Sequence, residues 1–279
     1  MRTVALPDGK RVPLLGQGTW RMGESKSARA REVVALRLGI ELGMSLIDTA
    51  EMYGHGGAEE IVAEAIHGQR RDVFVVTKVY PHNASREKLP KACERSLKRL
   101  RIDTIALYLL HWREREPPLQ ETVDAFEELR AAGKIKRWGV SNFDVDNMNE
   151  LLSLEHGRKC AANQVLYNLE NREIEFDLLP WSQTNKIPIM AYSPVGHSGK
   201  LLRNAALKKI AQSHNATPAQ IALAWVLRQS NVIAIPKAST DAHVRDNAAS
   251  LKIKLAKEDL MDLDGEFPPP KSRKSLPML

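Results

Sequence analysis

The sequence contains little cysteine and no long apolar run. Its 279 residues include two cysteines, Cys93 and Cys160, which are too few to build a framework of disulfides. No stretch approaches the ~18 consecutive apolar residues of a membrane-spanning helix, and the first residues lack the apolar core of a signal peptide. These absences argue against a disulfide-stapled secreted domain and a membrane span, so we expect a cytoplasmic protein with no membrane partner.

Several motifs that carry well-understood chemistry are incomplete. Gly16 and Gly18 lie in the first predicted strand, but no third glycine completes the G-x-G-x-x-G motif of a doubly wound dinucleotide-binding sheet. The segment 196–200 lacks the last glycine of a nucleophile elbow, and Pro194 stands where a P-loop needs its first glycine. No H-E-x-x-H pair and no cysteine and histidine spacing suits zinc, so we expect no metal site.

The charge of the chain is basic but not clustered. Lysine and arginine number 41 against 34 aspartates and glutamates, which gives a formal net charge of +7. The densest basic clusters, 134–137 and 271–274, are short and contain no aromatic residues on which bases could stack. We therefore expect no nucleic-acid partner, and an electrostatic field that favours small anions.

Hydrophobic residues follow two alternating spacings along the chain. Short apolar runs without strict alternation suit strands that are covered on both faces, and the segments between them carry an apolar stripe at helical spacing. The sequence predicts strands at 15–18, 45–47, 73–76, 105–110, 135–140, 164–166, 187–191 and 232–235. It predicts helices at 28–42, 58–66, 89–100, 119–131, 144–153, 203–213 and 218–229.

Eight strands that alternate with helices predict an α/β fold of the (β/α)₈ TIM-barrel type. Before the barrel, Asp8 and Gly9 lie between two short β-prone runs and predict an N-terminal β-hairpin. No composition break or flexible linker divides the chain, so we expect residues 1–279 to form one domain. The alternative is an open doubly wound sheet, which the missing third glycine disfavours.

Polar side chains follow three consecutive predicted strands. Asp48 ends the second strand with Tyr53 in the loop behind it, Lys78 ends the third, and His111 follows the fourth. The carboxyl ends of barrel strands and their loops carry the reacting groups of barrel enzymes, so these four side chains are expected to meet on one face. Each alone has an ordinary explanation, as a cap, a surface lysine or a core histidine, but their convergence favours a catalytic site.

These four residues resemble the catalytic tetrad of the aldo-keto reductases, barrel enzymes that reduce aldehydes and ketones with NADPH. Further segments are similar to those of the family and occur in the family's order, at residues 16–20, 138–143, 163–168, 191–194 and 235–237.

Cys93 is not expected to be a reactive residue. It falls on the apolar stripe of a predicted helix and is expected in the core.

The resemblance implies that Tyr53 is the proton donor, that Asp48 holds Lys78 in place, and that His111 orients the carbonyl. A phenol titrates near pH ~10 and is a weak acid at neutral pH. A cation ~4 Å away, in an effective dielectric of ~20, contributes at most about 4 kcal/mol, or about three pKa units. Lys78 is therefore expected to lower the pKa of Tyr53, while NADPH supplies the hydride.

The resemblance also implies the cofactor contacts. Where the family usually has an arginine this chain has His243, and Ala238 replaces a common serine. We therefore expect a weaker preference for NADPH over NADH than in the family at large. The implied cofactor-binding residues are Gly18, Thr19, Trp20, Ser141, Asn142, Gln164, Tyr192, Ser193, Lys237, Ser239, Thr240, His243 and Asn247.

The expected substrates are small aldehydes, α-ketoaldehydes or keto sugars. Trp20, Trp112 and Phe143 are expected to line the substrate pocket beside Tyr53. The segment after Phe267 is shorter than the carboxyl-terminal loop of many relatives, which predicts an open, tolerant pocket. The resemblance also implies a monomer. Two other functions stay open at this point: an NADPH-binding regulatory subunit with slow turnover, and a lyase in which Lys78 forms a Schiff base.

Overall fold

Short buried strands and amphipathic helices alternate along the chain, as the hydrophobic spacing predicts. The computed structural model describes residues 2–279. The strands are β1 (Thr3–Ala5), β2 (Arg11–Pro13), β3 (Gln17–Gly18), β4 (Leu46–Asp48), β5 (Phe74–Val79), β6 (Leu107–Leu110), β7 (Trp138–Ser141), β8 (Asn163–Leu166), β9 (Ile189–Tyr192) and β10 (Val232–Ala234). The helices are α1 (Arg29–Glu41), α2 (Gly57–Ala65), α3 (Lys88–Leu100), α4 (Leu119–Ala131), α5 (Val145–Ser153), α6 (Leu178–Asn185), α7 (Ala205–Ser213), α8 (Pro218–Leu227), α9 (Asp241–Ala249) and α10 (Lys257–Glu266).

Strands β3 to β10 form one parallel sheet in chain order, and the sheet closes into a ring. Parallel bridges from Leu15 to Ala234 and from Gly18 to Lys237 join the first strand to the last. A Cβ atom at Gly18 would lie 2.7 Å from the carbonyl oxygen of Ile235, so only glycine lets the two backbones approach this closely. The predicted (β/α)₈ barrel is confirmed.

The predicted hairpin is also confirmed, and it packs against the barrel interior. β1 and β2 pair antiparallel around the Asp8–Gly9 turn. Leu6 and Val12 are buried in one cluster with inward-facing strand residues such as Leu46 and Phe74. The hairpin therefore closes the end of the ring that lies opposite the predicted site.

The helices bury their apolar stripes against the outside of the ring. On α3 the buried residues are Leu89, Ala92, Cys93, Ser96, Leu97 and Leu100, which is the predicted stripe. Burial raises the pKa of Cys93 to about 12 and that of Cys160 to about 12, so neither thiol is ionised at neutral pH. Both cysteines are core residues.

Three helices, α6, α9 and α10, lie outside the helical ranges that the sequence predicts. α6 carries Pro180 in its first turn, where proline is tolerated although it breaks helix interiors. α10 buries only Leu263, so it lacks the apolar stripe on which the prediction depends. The strand predicted at 135–140 begins at Trp138, because Ile135 makes only an isolated bridge to Ile105. Within residues 2–279, no helix combines the length and apolar character needed to cross a bilayer.

Candidate active site

Asp48 and Lys78 form a buried ion pair at the carboxyl ends of two adjacent strands. The Lys78 Nζ donates to Oδ2 of Asp48 at 2.7 Å and to the carbonyl oxygen of Thr49 at 2.8 Å. The Nε2 atom of Gln164, from β8 across the ring, donates to Oδ1 of Asp48 at 2.8 Å. Both charges are therefore hydrogen-bonded, which offsets the cost of removing them from water.

Tyr53 meets this ion pair from the turn that follows β4. Its hydroxyl lies 3.3 Å from the Lys78 Nζ, and the ammonium lies 4.8 Å from the centre of its ring. The turn needs left-handed backbone at Gly54 and Gly56, with φ of 56° and 91°, so glycine lowers its strain. Burial disfavours the charged form of Lys78, but the Asp48 carboxylate and the Tyr53 oxygen outweigh burial and raise its pKa.

The electrostatics of Tyr53 differ from the prediction. Burial disfavours the phenolate and raises the pKa of Tyr53, and the Lys78 ammonium offsets only part of this effect. Lys78 does lower the pKa of Tyr53, as the sequence predicts, but the sequence argument did not count the loss of solvent, and the net direction of the pKa is therefore upward. Tyr53 carries its proton at neutral pH, as a proton donor must.

His111 forms the next wall of the site. Its ring meets the Tyr53 ring edge-on, with 5.8 Å between the centroids, and the residue is 9% exposed. Burial, together with the Lys78 charge, lowers the pKa of His111 to about 2, so the imidazole is neutral. The buried Nδ1 atom has no hydrogen-bond partner among the described residues.

The ends of β7, β8 and β9 carry a connected set of polar side chains. Ser141 Oγ donates to the carbonyl oxygen of Gln164 at 2.8 Å, and the Tyr192 hydroxyl donates to Oδ1 of Asn142 at 3.1 Å. Asn142 and Ser193 have left-handed backbone, with φ of 62° and 48°. Unusual backbone of this kind is typical of functional sites.

One cavity of about 500 Å³ unites most of the predicted site residues. Lys78 lies directly beneath its floor, in contact with Asp48 and Tyr53. The predicted residues that line this cavity are Gly18, Thr19, Trp20, Asp48, Tyr53, His111, Trp112, Ser141, Asn142, Gln164, Tyr192, Ser193 and Lys237.

The remaining predicted cofactor residues follow Lys237 along the chain, before and within α9. Thr240 caps this helix by accepting from the backbone N–H of His243, and Lys237 Nζ lies 3.2 Å from Ser239 Oγ. Lys237 and His243 are exposed, whereas Asn247 is buried. We call Lys237, Ser239, Thr240, His243 and Asn247 the α9 end of the site.

Two predictions about the substrate pocket need correction. Phe143 does not line the cavity, because its side chain is fully buried among the residues of the hydrophobic core. The segment after Phe267 does not leave the cavity bare, since Met278 and Leu279 reach its rim. Sequence reasoning also missed Met52, which lines the cavity one residue before Tyr53 and could have been found from that position.

The comparisons with known proteins agree with this geometry. Residues 14–265 match the sequence model described as the aldo/keto reductase family. The chain belongs to the aldo/keto reductase family.

Within residues 2–279, no three histidine, cysteine, aspartate or glutamate side chains are grouped so that they could hold a metal ion.

Individual aldo/keto reductases are similar over almost the whole chain. Methylglyoxal reductase YeaE of Escherichia coli (strain K12) is 53% identical over 272 residues, which cover 96% of this chain and 95% of that protein. Glyoxal reductase of Bacillus subtilis (strain 168) is 32% identical over 94% of this chain and 91% of its own length. The crystal structure of an aldo-keto reductase from Klebsiella pneumoniae in complex with NADPH superposes with a TM-score of 0.97, at 48% identity, over 100% of this chain and 99% of that one.

Proposed function

We propose that this aldo/keto reductase transfers a hydride from NADPH to the carbonyl carbon of small aldehydes, α-ketoaldehydes or keto sugars, with Tyr53 as the proton donor. The observation that carries the proposal is the Lys78 ammonium, which lies 2.7 Å from Asp48 and 3.3 Å from the Tyr53 hydroxyl beneath a single cavity. A protonated phenol beside a fixed cation is an arrangement suited to acid catalysis.

The side chains around the cavity fit a phosphorylated dinucleotide. Lys237, Ser239 and Thr240 place an ammonium and two hydroxyls at the first turn of α9, where backbone N–H groups also favour an anion. We propose that they hold the 2′-phosphate, with His243 beside it and Asn247 toward the adenine. At the ring opening, Ser141, Asn142 and Gln164 offer the amide and hydroxyl groups that would bind the carboxamide of the nicotinamide.

Two further contacts are proposed from the same cavity. We propose that Tyr192, which lines the cavity, stacks on the nicotinamide, and that Ser193, which lines the cavity with left-handed backbone, contacts the pyrophosphate. Gly18, Thr19 and Trp20 line the wall where β3 ends and would flank the cofactor. NADPH, when it is bound, supplies the hydride that no side chain can donate.

Side chains of the protein donate the proton and stabilise the charge that its loss leaves behind. As the carbonyl oxygen gains negative charge, the Tyr53 O–H bond breaks and its proton goes to that oxygen, which leaves a phenolate. The Lys78 ammonium at 3.3 Å stabilises this phenolate, and the two hydrogen bonds of Lys78 to Asp48 and Thr49 keep the ammonium in place. Neutral His111 can donate a hydrogen bond to the carbonyl oxygen without placing a second cation beside Lys78.

The geometry disfavours the Schiff-base lyase. A nucleophilic lysine must lose its proton, which usually requires a lowered pKa. In this structure the surroundings of Lys78 raise its pKa, and its Nζ is hydrogen-bonded to three oxygens. Lys78 is thus held as a cation.

The cavity and the names of relatives support the proposed substrate class. Trp20, Met52 and Trp112 form apolar walls close to Tyr53, which suit a small carbonyl compound better than a charged polymer. Similarity to a methylglyoxal reductase and a glyoxal reductase supports α-dicarbonyl compounds as the first substrates to test. We also propose a cytoplasmic, single-domain monomer, since the two buried thiols suit a reducing compartment.

The test is oxidation of NADPH by the purified protein with methylglyoxal, glyoxal, an aromatic aldehyde and a keto sugar. We expect NADPH absorbance to fall in proportion to the alcohol formed, and a parallel series with NADH measures the cofactor preference. Tight NADPH binding without turnover on any carbonyl would instead support the regulatory subunit. Borohydride trapping of substrate on Lys78 would support the lyase.

A further inference from the structure

Glu51 is a buried carboxylate in the loop that carries Tyr53. It lies two residues before Tyr53, and its side chain is 6% exposed. It is not among the residues that line the cavity, and the side-chain hydrogen bonds found for it within residues 2–279 go to Tyr80 and Asn83 and not to the tetrad. A carboxylate so poorly exposed is costly unless donors surround it, so its partners indicate what the fold gains from it.

The partners of Glu51 lie on the segment that carries Lys78. Its Oε1 accepts from the backbone N–H of Tyr80 at 2.8 Å and from Nδ2 of Asn83 at 3.1 Å. Tyr80 follows Lys78 by two residues, just beyond the end of β5. The Oε2 atom faces Arg95 of α3 at 3.8 Å.

These bonds extend a set of backbone contacts between the same two segments. Thr49 N–H donates to the carbonyl oxygen of Val76 at 2.8 Å, and Glu51 N–H donates to that of Lys78 at 3.3 Å. The strand ends at Val79, and beyond it the Glu51 side chain continues the contact to Tyr80 and Asn83. The loop before Tyr53 is thereby tied to β5 on both sides of Lys78.

We propose that Glu51 is a positioning residue, which fixes the distance between the Tyr53 hydroxyl and the Lys78 ammonium by tying their two segments together through Tyr80 and Asn83. The proposal rests on the proposed function, because it assigns Glu51 a part in proton donation by Tyr53. Glu51 contacts neither substrate nor cofactor in this role.

The effect is geometric and not a matter of charge. Burial is the largest cause that raises the pKa of Tyr80, and the charge of Glu51, which accepts a hydrogen bond from the Tyr80 backbone, raises it further. The pKa of Tyr53 responds to burial, Lys78 and Asp48. A neutral side chain with an acceptor oxygen in the same place should therefore serve nearly as well.

The experiment compares Glu51→Ala with Glu51→Gln in the full-length protein loaded with NADPH. Small displacements of a catalytic group can cost up to about 100-fold in rate, so we expect Glu51→Ala to lower kcat by about 10- to 100-fold. The dissociation constant of NADPH should stay unchanged. Glu51→Gln keeps the oxygen that accepts from Tyr80 and Asn83, so we expect it to restore most of kcat.

Glu127→Ala is the matched control. This carboxylate is also poorly exposed, at 11%, and accepts from Trp138, Arg130 and Lys159, but it lies on α4 away from the cavity. We expect Glu127→Ala to lower the melting temperature and leave kcat unchanged. Thermal unfolding of every variant separates lost folding from lost positioning.

A second variant covers the case in which Glu51→Ala does not fold. Asn83→Ala removes one of the two donors from the Glu51 Oε1 atom at a partly exposed position, and we expect a smaller loss of kcat. Wild-type kcat in Asn83→Ala or in a folded Glu51→Ala would overturn the proposal. So would equal losses in Glu51→Gln and Glu51→Ala, or a loss of NADPH affinity that parallels the loss of kcat. Absence of turnover in the wild type would contradict the proposed function and this inference with it, whereas active wild type with unaffected variants contradicts only the inference.

Discussion

At the tetrad end of the cavity, which Tyr53 shares with its three partners, Asp48, Lys78 and His111 are at most 9% exposed. Lys237 and His243 at the α9 end are exposed to solvent. Lys78 makes three hydrogen bonds with fixed neighbours, while the only side-chain partner found for Lys237 Nζ among the described residues is Ser239, at 3.2 Å. One end is held by the protein's own contacts, and the other presents its charge at the surface.

This difference separates two tasks. Groups that stabilise a transition state act best when they are fixed beforehand and shielded from water, because they then need no reorganisation during the reaction. Groups that capture a phosphate need charge and donors within reach of solvent, where the ligand arrives. Substitutions at the tetrad end should therefore change rates, and those at the α9 end should change cofactor affinity.

The largest expected effect is that of Tyr53→Phe. The change removes the hydroxyl that we propose as the proton donor and keeps the ring, and general acid catalysis contributes about 100- to 10,000-fold. We expect kcat to fall by that range while the dissociation constant of NADPH stays near its wild-type value. Steady-state kinetics and NADPH fluorescence titration measure the two quantities.

Tyr80→Phe is the control for Tyr53→Phe, since it removes a tyrosine hydroxyl outside the cavity. It should leave kcat unchanged. Normal turnover in Tyr53→Phe would show that another group donates the proton.

The next effect in size is that of Lys237→Ala, which tests the α9 end. Loss of one ammonium facing a phosphate should weaken NADPH binding by about 10- to 100-fold, since hydrogen bonds to charged groups are worth about 1.5–3 kcal/mol. NADH, which has no 2′-phosphate, should bind as it does to the wild type, and kcat with saturating NADPH should change little. Lys252→Ala, at an exposed lysine beyond α9, is the control. Equal weakening for both nucleotides would place the 2′-phosphate elsewhere.

The smallest effect concerns the free energy of unfolding, which depends on pH because burial keeps the His111 imidazole neutral. Its pKa is about 2 in the folded protein and ~6.5 in an unfolded chain, so between these values the unfolded state binds a proton that the native state does not. The free energy of unfolding should therefore fall as the pH drops below ~6.5, and this contribution reaches about 2 kcal/mol between pH ~7 and pH ~5. In His111→Gln this pH-dependent fall in the free energy of unfolding should be absent.

Urea unfolding of wild type and His111→Gln at the two pH values measures this contribution. His243→Gln, at an exposed histidine of the α9 end, is the control and should keep the wild-type pH dependence. Parallel pH dependence in all three proteins would mean that His111 is not held neutral by burial.

The barrel and the convergence of Asp48, Tyr53, Lys78 and His111 could be predicted because both depend on local patterns. Apolar runs locate the strands, and parallel strands in a closed ring deliver the residues after them to one face. The direction of the Tyr53 pKa shift could not be predicted, because desolvation depends on how completely the surrounding elements cover the phenol.

Other misses share that cause. An aromatic residue after a strand end gives no sign of the direction in which it points, and Phe143 packs into the core. Glu51 gave no signal at all, since a carboxylate in a polar loop is usually solvated. Its partners Tyr80 and Asn83 come from a loop about thirty residues further along the chain, so only the assembled barrel brings them together.

The pairing of Gly18 with Lys237 at the junction of β3 and β10 has a consequence for biosynthesis. The strands that carry Asp48, Lys78 and His111 leave the ribosome early, but the strand that precedes Lys237 is made last of the eight. Because domains of this size gather their distant pairings only once the partners exist, a nascent chain has no complete cofactor cleft until translation is nearly finished. The nucleotide binding that we propose is therefore the final capacity that the growing polypeptide acquires.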